Sequence, residues 1–113
     1  MNEELIQAAM NIILHTGHTR AACMQALKNI EDADFEAAKE NMKTANKEIT
    51  EAHKIQTDAI QKDVGGEKPQ EYSLLFAHAQ DTLMTIYSEI NIAKRLIKIF
   101  SVYEKRIAAL EEK

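Results

Sequence analysis

At 113 residues the chain is long enough for one domain with a modest core, burying about 60–70% of its unfolded-chain surface. Three Gly, one Pro and no Trp stand among abundant Ala, Glu, Lys, Ile and Met, so helix breakers are nearly absent and an all-α fold is expected over 1–113. A net charge of −4 with no basic block argues against nucleic-acid binding, and no apolar run approaches the length of a membrane span.

The start Met1-Asn2-Glu3-Glu4 is unlike a secretory signal. The lone Cys23 cannot close an internal disulfide, which fits a reducing cytoplasm.

Apolar and small residues alternating at spacings of three and four place the first helix at about 3–31, with the seam Ile6, Ala9, Ile13, Thr16, Arg20, Cys23, Leu27 and Ile30. The phase survives Gly17, where a bend is expected at Thr16-Gly17-His18. Asp34 is placed to cap a second helix, at about 34–62, because its carboxylate can accept orphan backbone N–H groups. The second seam is Phe35, Ala38, Met42, Ala45, Ile49, Ala52, Gln56 and Ala59. Val64-Gly65-Gly66-Glu67-Lys68-Pro69 marks a reversal, and a third helix is expected over about 70–111. Three long helices with short connections predict an up-down-up bundle.

The third helix carries two seams. Ala79, Leu83, Ile86, Ile90, Ala93, Ile97, Phe100 and Ile107 suffice for an internal core. Leu74, His78, Asp81, Thr85, Ser88, Ile92, Arg95, Ile99 and Val102 form a second stripe, which is expected to pack on other copies of the chain.

Phosphate loops, zinc-type Cys pairs, His-Glu-x-x-His, Gly-x-Ser-x-Gly and paired Glu-x-x-His elements are all missing from the sequence. Four histidines remain. His15 and His18 are three apart and could share a metal, but no third ligand is in phase with them, which favours ordinary helix histidines. His53 reads the same way. His78 has different company: Asp81 lies on its face of the helix, Ala77 and Ala79 leave room for a partner, and Gln80 offers neutral donors for phosphoryl oxygens. A neutral imidazole is a nucleophile near pH 7, and its phosphoramidate is labile enough to pass the group on. If Asp81 sits on a symmetry axis, its copies must take up protons, hydrogen-bond or share a hard cation such as Mg²⁺. A non-enzymatic helical adaptor and a metal-binding bundle are the competing readings.

The stretch His78-Ala79-Gln80-Asp81-x-Leu83-Met84-Thr85 resembles the active-site signature of the lactose/cellobiose (diacetylchitobiose) enzyme IIA family of sugar phosphotransferase systems. Gly17-x-x-Arg20, Ala33-Asp34-Phe35 and Glu51-Ala52-His53-x-x-Gln56-Thr57 follow the family order, so the resemblance covers nearly the whole chain. It implies a homotrimer assembled through the third helix, with His78 taking a phosphoryl group from phospho-HPr. The group would pass to a cysteine of enzyme IIB during disaccharide uptake through membrane enzyme IIC. It also implies that Gln80 accommodates the phosphoryl group and that Asp81, near the threefold axis, can hold one divalent cation such as Mg²⁺ per trimer; no organic cofactor is implied. The chain departs from the family at Thr82, where a second histidine is usual, and at Ala33, where glycine is usual.

Overall fold

A computed structural model of the chain describes residues 3–65 and 73–113. They form three helices: α1 (Glu3–Glu31), α2 (Phe35–Gly65) and α3 (Leu74–Glu111). Positions 70–72 of the expected third helix lie outside the described residues. Side-chain pairs set the topology. Lys62 of α2 lies 3.9 Å from Glu4 at one end of α1, and Asn41 hydrogen-bonds Asn29 at the other end, so α1 and α2 are antiparallel. Arg20 of α1 binds Glu89 of α3 through Nε and Nη2, each at 3.2 Å, and the rings of His53 in α2 and Tyr87 in α3 stand nearly perpendicular with centroids 6.0 Å apart. The chain therefore runs up, down and up, in a rod of 70 × 18 × 18 Å.

The connection between α1 and α2 closes with two motifs in sequence. The Asp34 N–H bonds the Asn29 carbonyl and the Ala33 N–H bonds the Ile30 carbonyl, the paired bonds of a Schellman cap. That cap needs a left-handed residue, and Ala33 supplies it at φ 58°. Alanine there costs about 1–2 kcal/mol that glycine would avoid. The Asp34 carboxylate then accepts the Ala37 N–H at 3.1 Å and caps α2.

The second seam falls as its spacing predicts, with Ala38, Met42, Ala45, Ile49 and Ala52 buried. The first is rotated by about one residue. Leu5, Ala9, Ile12, Thr16, Thr19, Ala22, Cys23 and Ala26 are buried, whereas Ile13, Leu27 and Ile30 pack only at the flank and Arg20 is exposed. Helix α1 faces two neighbours, and small side chains occupy the centre of that contact. The threonines are tolerated because Thr16 Oγ1 donates to the Ile13 carbonyl and Thr19 Oγ1 to the His15 carbonyl. The helix continues unbroken through Gly17.

On α3 the internal seam is buried from Ala79 to Ala93 and fades after Ile97. Phe100 and Ile107, expected in the core, are about half exposed, at 50% and 49%. The cause is length. Helix α1 stops at Glu31 and α2 starts at Phe35, so the last turns of α3 run past the ends of their neighbours.

Candidate functional site

Helix α3 starts at Ser73, whose extended backbone (φ −118°, ψ 114°) lets its hydroxyl accept the Phe76 N–H at 3.1 Å. His78 follows at the fifth helical position and is exposed. Among the described residues no side chain hydrogen-bonds its imidazole. Its neighbours divide by helix geometry. Ala79 points into the core and is fully buried, Ala77 and Gln80 are partly covered, and Asp81 is exposed on the same face as His78. Leu83 of the motif is core, and Met84 is 67% exposed. The stretch thus interleaves residues that anchor the helix in the core with residues that face solvent.

Thr82 stands where the resemblance leads one to expect a second histidine. Its hydroxyl donates to the His78 carbonyl at 3.0 Å, and Thr85 Oγ1 donates to the Asp81 carbonyl at 2.9 Å. Both hydroxyl protons are directed at the backbone of the motif rather than at the imidazole. Every member of the outer seam, from Leu74 through His78, Asp81, Thr85, Ser88, Ile92, Arg95 and Ile99 to Val102, is exposed. A groove of about 780 Å³ lies farther along α3, between Phe35, Lys39, Met42, Lys94, Ile97 and Lys98, and includes none of the motif.

The remaining histidines are elsewhere. His53 is exposed, with its ring centroid 6.0 Å from that of Tyr87. Burial pushes the Tyr87 hydroxyl above its ordinary range. His15 and His18 do have a third potential ligand, contrary to the reading of α1 alone: Glu48 reaches them from α2. Glu48 is invisible along α1 because it belongs to another helix. The antiparallel pairing could have found it, since a turn near residues 32–34 sets position 15 opposite the late forties. Cys23 is buried, and burial together with the nearby Glu89 charge pushes its thiol up, so it is an inert core residue.

Residues 7–101 match the family model for the lactose/cellobiose-specific IIA subunit of the phosphotransferase system. The chain belongs to this family. It is 38% identical to the lichenan-specific phosphotransferase enzyme IIA component of Bacillus subtilis, across 97% of this chain and all of the relative. Its fold matches the crystal structure of the cellobiose-specific enzyme IIA from Bacillus anthracis with a TM-score of 0.84 and 34% identity, covering 93% of this chain and 95% of that one. It also matches IIA(Chitobiose) in the solution structure of that protein's complex with HPr, from the N,N'-diacetylchitobiose branch of the Escherichia coli phosphotransferase system. There the TM-score is 0.79 and the identity 34%, with 91% of this chain and 99% of that chain covered. The chain is therefore a IIA subunit, a phosphoryl carrier of sugar transport, and no described helix is long and apolar enough to cross a membrane.

Proposed function

We propose that this IIA subunit carries its phosphoryl group on His78, taking it from HPr and passing it to a cysteine of enzyme IIB as disaccharide enters through membrane enzyme IIC. The observation that carries the reading is the exposure of His78 on a face of α3 that the chain's own core leaves bare. The partner assignment draws on the Escherichia coli relative solved together with HPr.

Electrostatics supports the same residue. A helical side chain leans toward the helix N-terminus, so the imidazole at position five overhangs the first turn, where backbone N–H groups lack helical partners. That end carries partial positive charge and favours an anion. The first turns of α1 and α2 contain Glu3, Glu4 and Glu36, whereas the first turn of α3 contains no acid. Gln80 adds neutral donors without opposing charge.

In the transfer, the lone pair of a neutral His78 ring nitrogen attacks phosphorus in line. The donor's bond to phosphorus breaks and its electron pair stays with the donor. The second transfer repeats this with the enzyme IIB thiolate as nucleophile and His78 as leaving group. One imidazole serves two partners, so their docking surfaces overlap and each contact is short-lived. The chain works as one domain in the cytoplasm, where both partners meet it.

The bare seam of α3 supports assembly as a homotrimer. A single chain provides one exposed carboxylate at Asp81, and the groups of three ligand-type residues among the described ones do not include it. Asp81 therefore suits a hard cation such as Mg²⁺ only where copies converge, with oxygen ligation supplied by three carboxylates. The ion would neutralise their mutual repulsion.

Intact-mass analysis with phosphoenolpyruvate, enzyme I and HPr tests the carrier. One acid-labile phosphoryl gain per chain is expected in the wild type and none in His78→Ala, which leaves the bundle folded. Phosphorylation retained in His78→Ala would falsify the assignment.

A further inference from the structure

The carrier chemistry leaves one cluster unused, on the outside of the α1–α2 hairpin. His15 and His18 stand on one face of α1, a turn apart. Both present Nδ1 to the same oxygen, Glu48 Oε2 on α2, at 2.6 and 3.5 Å. One atom from each of the three residues lies within 4.8 Å of the other two. Two imidazoles aimed at a single carboxylate oxygen exceed what one hydrogen bond requires. The supports are rigid, because the adjoining residues Thr16, Thr19 and Ile49 are buried in the core. The site is also open, since the side chains of His15, His18 and Glu48 are 27%, 56% and 24% exposed.

The geometry points to a site for one Zn²⁺-class divalent ion per chain, held by His15, His18 and Glu48 and tying α1 to α2. Two imidazole nitrogens and one carboxylate oxygen are donors for a borderline transition metal, whereas Mg²⁺ and Ca²⁺ prefer oxygen alone. Three such ligands leave a fourth tetrahedral position for water. Bond lengths of about 2.0–2.2 Å place tetrahedral ligand atoms roughly 3.3–3.5 Å apart. The His18–Glu48 pair already has that spacing. The His15–Glu48 pair, now hydrogen-bonded at 2.6 Å, opens by less than about 1 Å as the ion replaces the proton between them. The displaced Nδ1 proton of His15 passes to solvent when the ring starts as imidazolium, or is exchanged through solvent onto Nε2 when it starts neutral, so each imidazole binds as the neutral tautomer protonated at Nε2. His78, Gln80 and Asp81 supply no ligand, so the site stands whether or not His78 carries phosphate.

Isothermal titration of metal-stripped protein with ZnCl₂ tests the site. With excess Mg²⁺ present throughout to occupy the Asp81 carboxylates, one Zn²⁺ per chain is expected. Both His18→Gln and Glu48→Gln weaken binding by about tenfold or more, because each removes a direct ligand and losing even a supporting contact costs that much. His78→Ala and Asp81→Asn bind like the wild type. Added Zn²⁺ raises the melting temperature of the wild type but not of His18→Gln, whose replaced ring is over half exposed and whose helix content stays native by circular dichroism. Any of three results overturns the proposal: no Zn²⁺ uptake by the wild type, undiminished uptake by His18→Gln, or uptake lost in His78→Ala.

Discussion

The two faces of α3 are built from similar materials and have opposite fates. On one, Ala79, Leu83, Ile86, Ile90 and Ala93 are each no more than 2% exposed. On the other, Leu74, Ile92 and Ile99 are 74%, 58% and 47% exposed, alongside His78 and Asp81. Both stripes repeat at helical spacing, and both contain enough apolar surface to want a partner. The contrast shows that a seam announces the need for a partner without saying whose. Here the fold uses one face and leaves the other, with His78 and Asp81 on it, bare. Changes around His78 therefore leave untouched what holds the bundle together.

The largest expected effect breaks this contrast most directly. Leu83→Ala removes a fully buried side chain from the meeting point of three helices and should cost about 2–5 kcal/mol, through lost transfer energy and a residual cavity. Met84→Ala, one residue along the motif, should change the stability of the dissociated chain by no more than about 0.5 kcal/mol, because its side chain is mostly in solvent there. Urea unfolding of dilute protein separates the two. Comparable losses at both positions would mean that the outer face is covered in solution, and a concentration-dependent midpoint would identify the cover as another copy.

Much of this arrangement was legible in the sequence because it depends on local rules. The second seam, the Asp34 cap and the inner seam as far as Ala93 follow from spacing and capping chemistry, which act within a few residues. The structure departs from the sequence pattern where a residue's environment depends on another helix. The rotation of the α1 seam is set by two simultaneous neighbours, and the exposure of Phe100 and Ile107 by where α1 and α2 stop. Glu48 joins His15 and His18 only through antiparallel pairing, so no scan along one helix face finds it. His78 was singled out by its motif, and its position on the bare face was legible because the inner seam alone already sufficed for a core. The left-handed turn at Ala33 is not signalled by alanine itself, and only the glycine usual there in the resembled family points to it.

Gly17 offers a smaller test of covered against bare surface, on α1. A methyl group built there meets nothing within 4 Å, and the helix runs through the position without interruption. Among the described residues no close approach requires glycine at this position. Gly17→Ala should raise stability by about 0.5–1 kcal/mol, from the lower backbone entropy of the unfolded chain and better helix propensity. A rise in melting temperature with unchanged phosphorylation would mark Gly17 as surface that the carrier does not use. A stabilised variant that accepts phosphate more slowly would instead place Gly17 under a docking partner, which would extend the functional surface from α3 onto α1.

The smallest expected effect concerns the polar contact at the edge of the α1–α2 seam. The hydrogen bond from His15 holds the Glu48 carboxyl below its ordinary value of 4.5; partial burial opposes this, and the charges of His15 and His18 reinforce it. A carboxyl whose folded pKa is depressed favours folding above its unfolded pKa, and that contribution disappears as pH falls through the folded value. The stability gap between wild type and Glu48→Gln in metal-free buffer should therefore be present at about pH 5–6 and close as pH drops below about 4.5. Its size should be about 0.2–1 kcal/mol, because the pair lies near the surface and solvent screens it. Melts across that range, repeated at high salt, read both the sign and the screening. A gap that persists unchanged to pH 3 would show that the neutral carboxyl is held as well as the anion. The stabilisation would then come from packing of the Glu48 side chain, and the charge on its carboxylate would contribute nothing to folding.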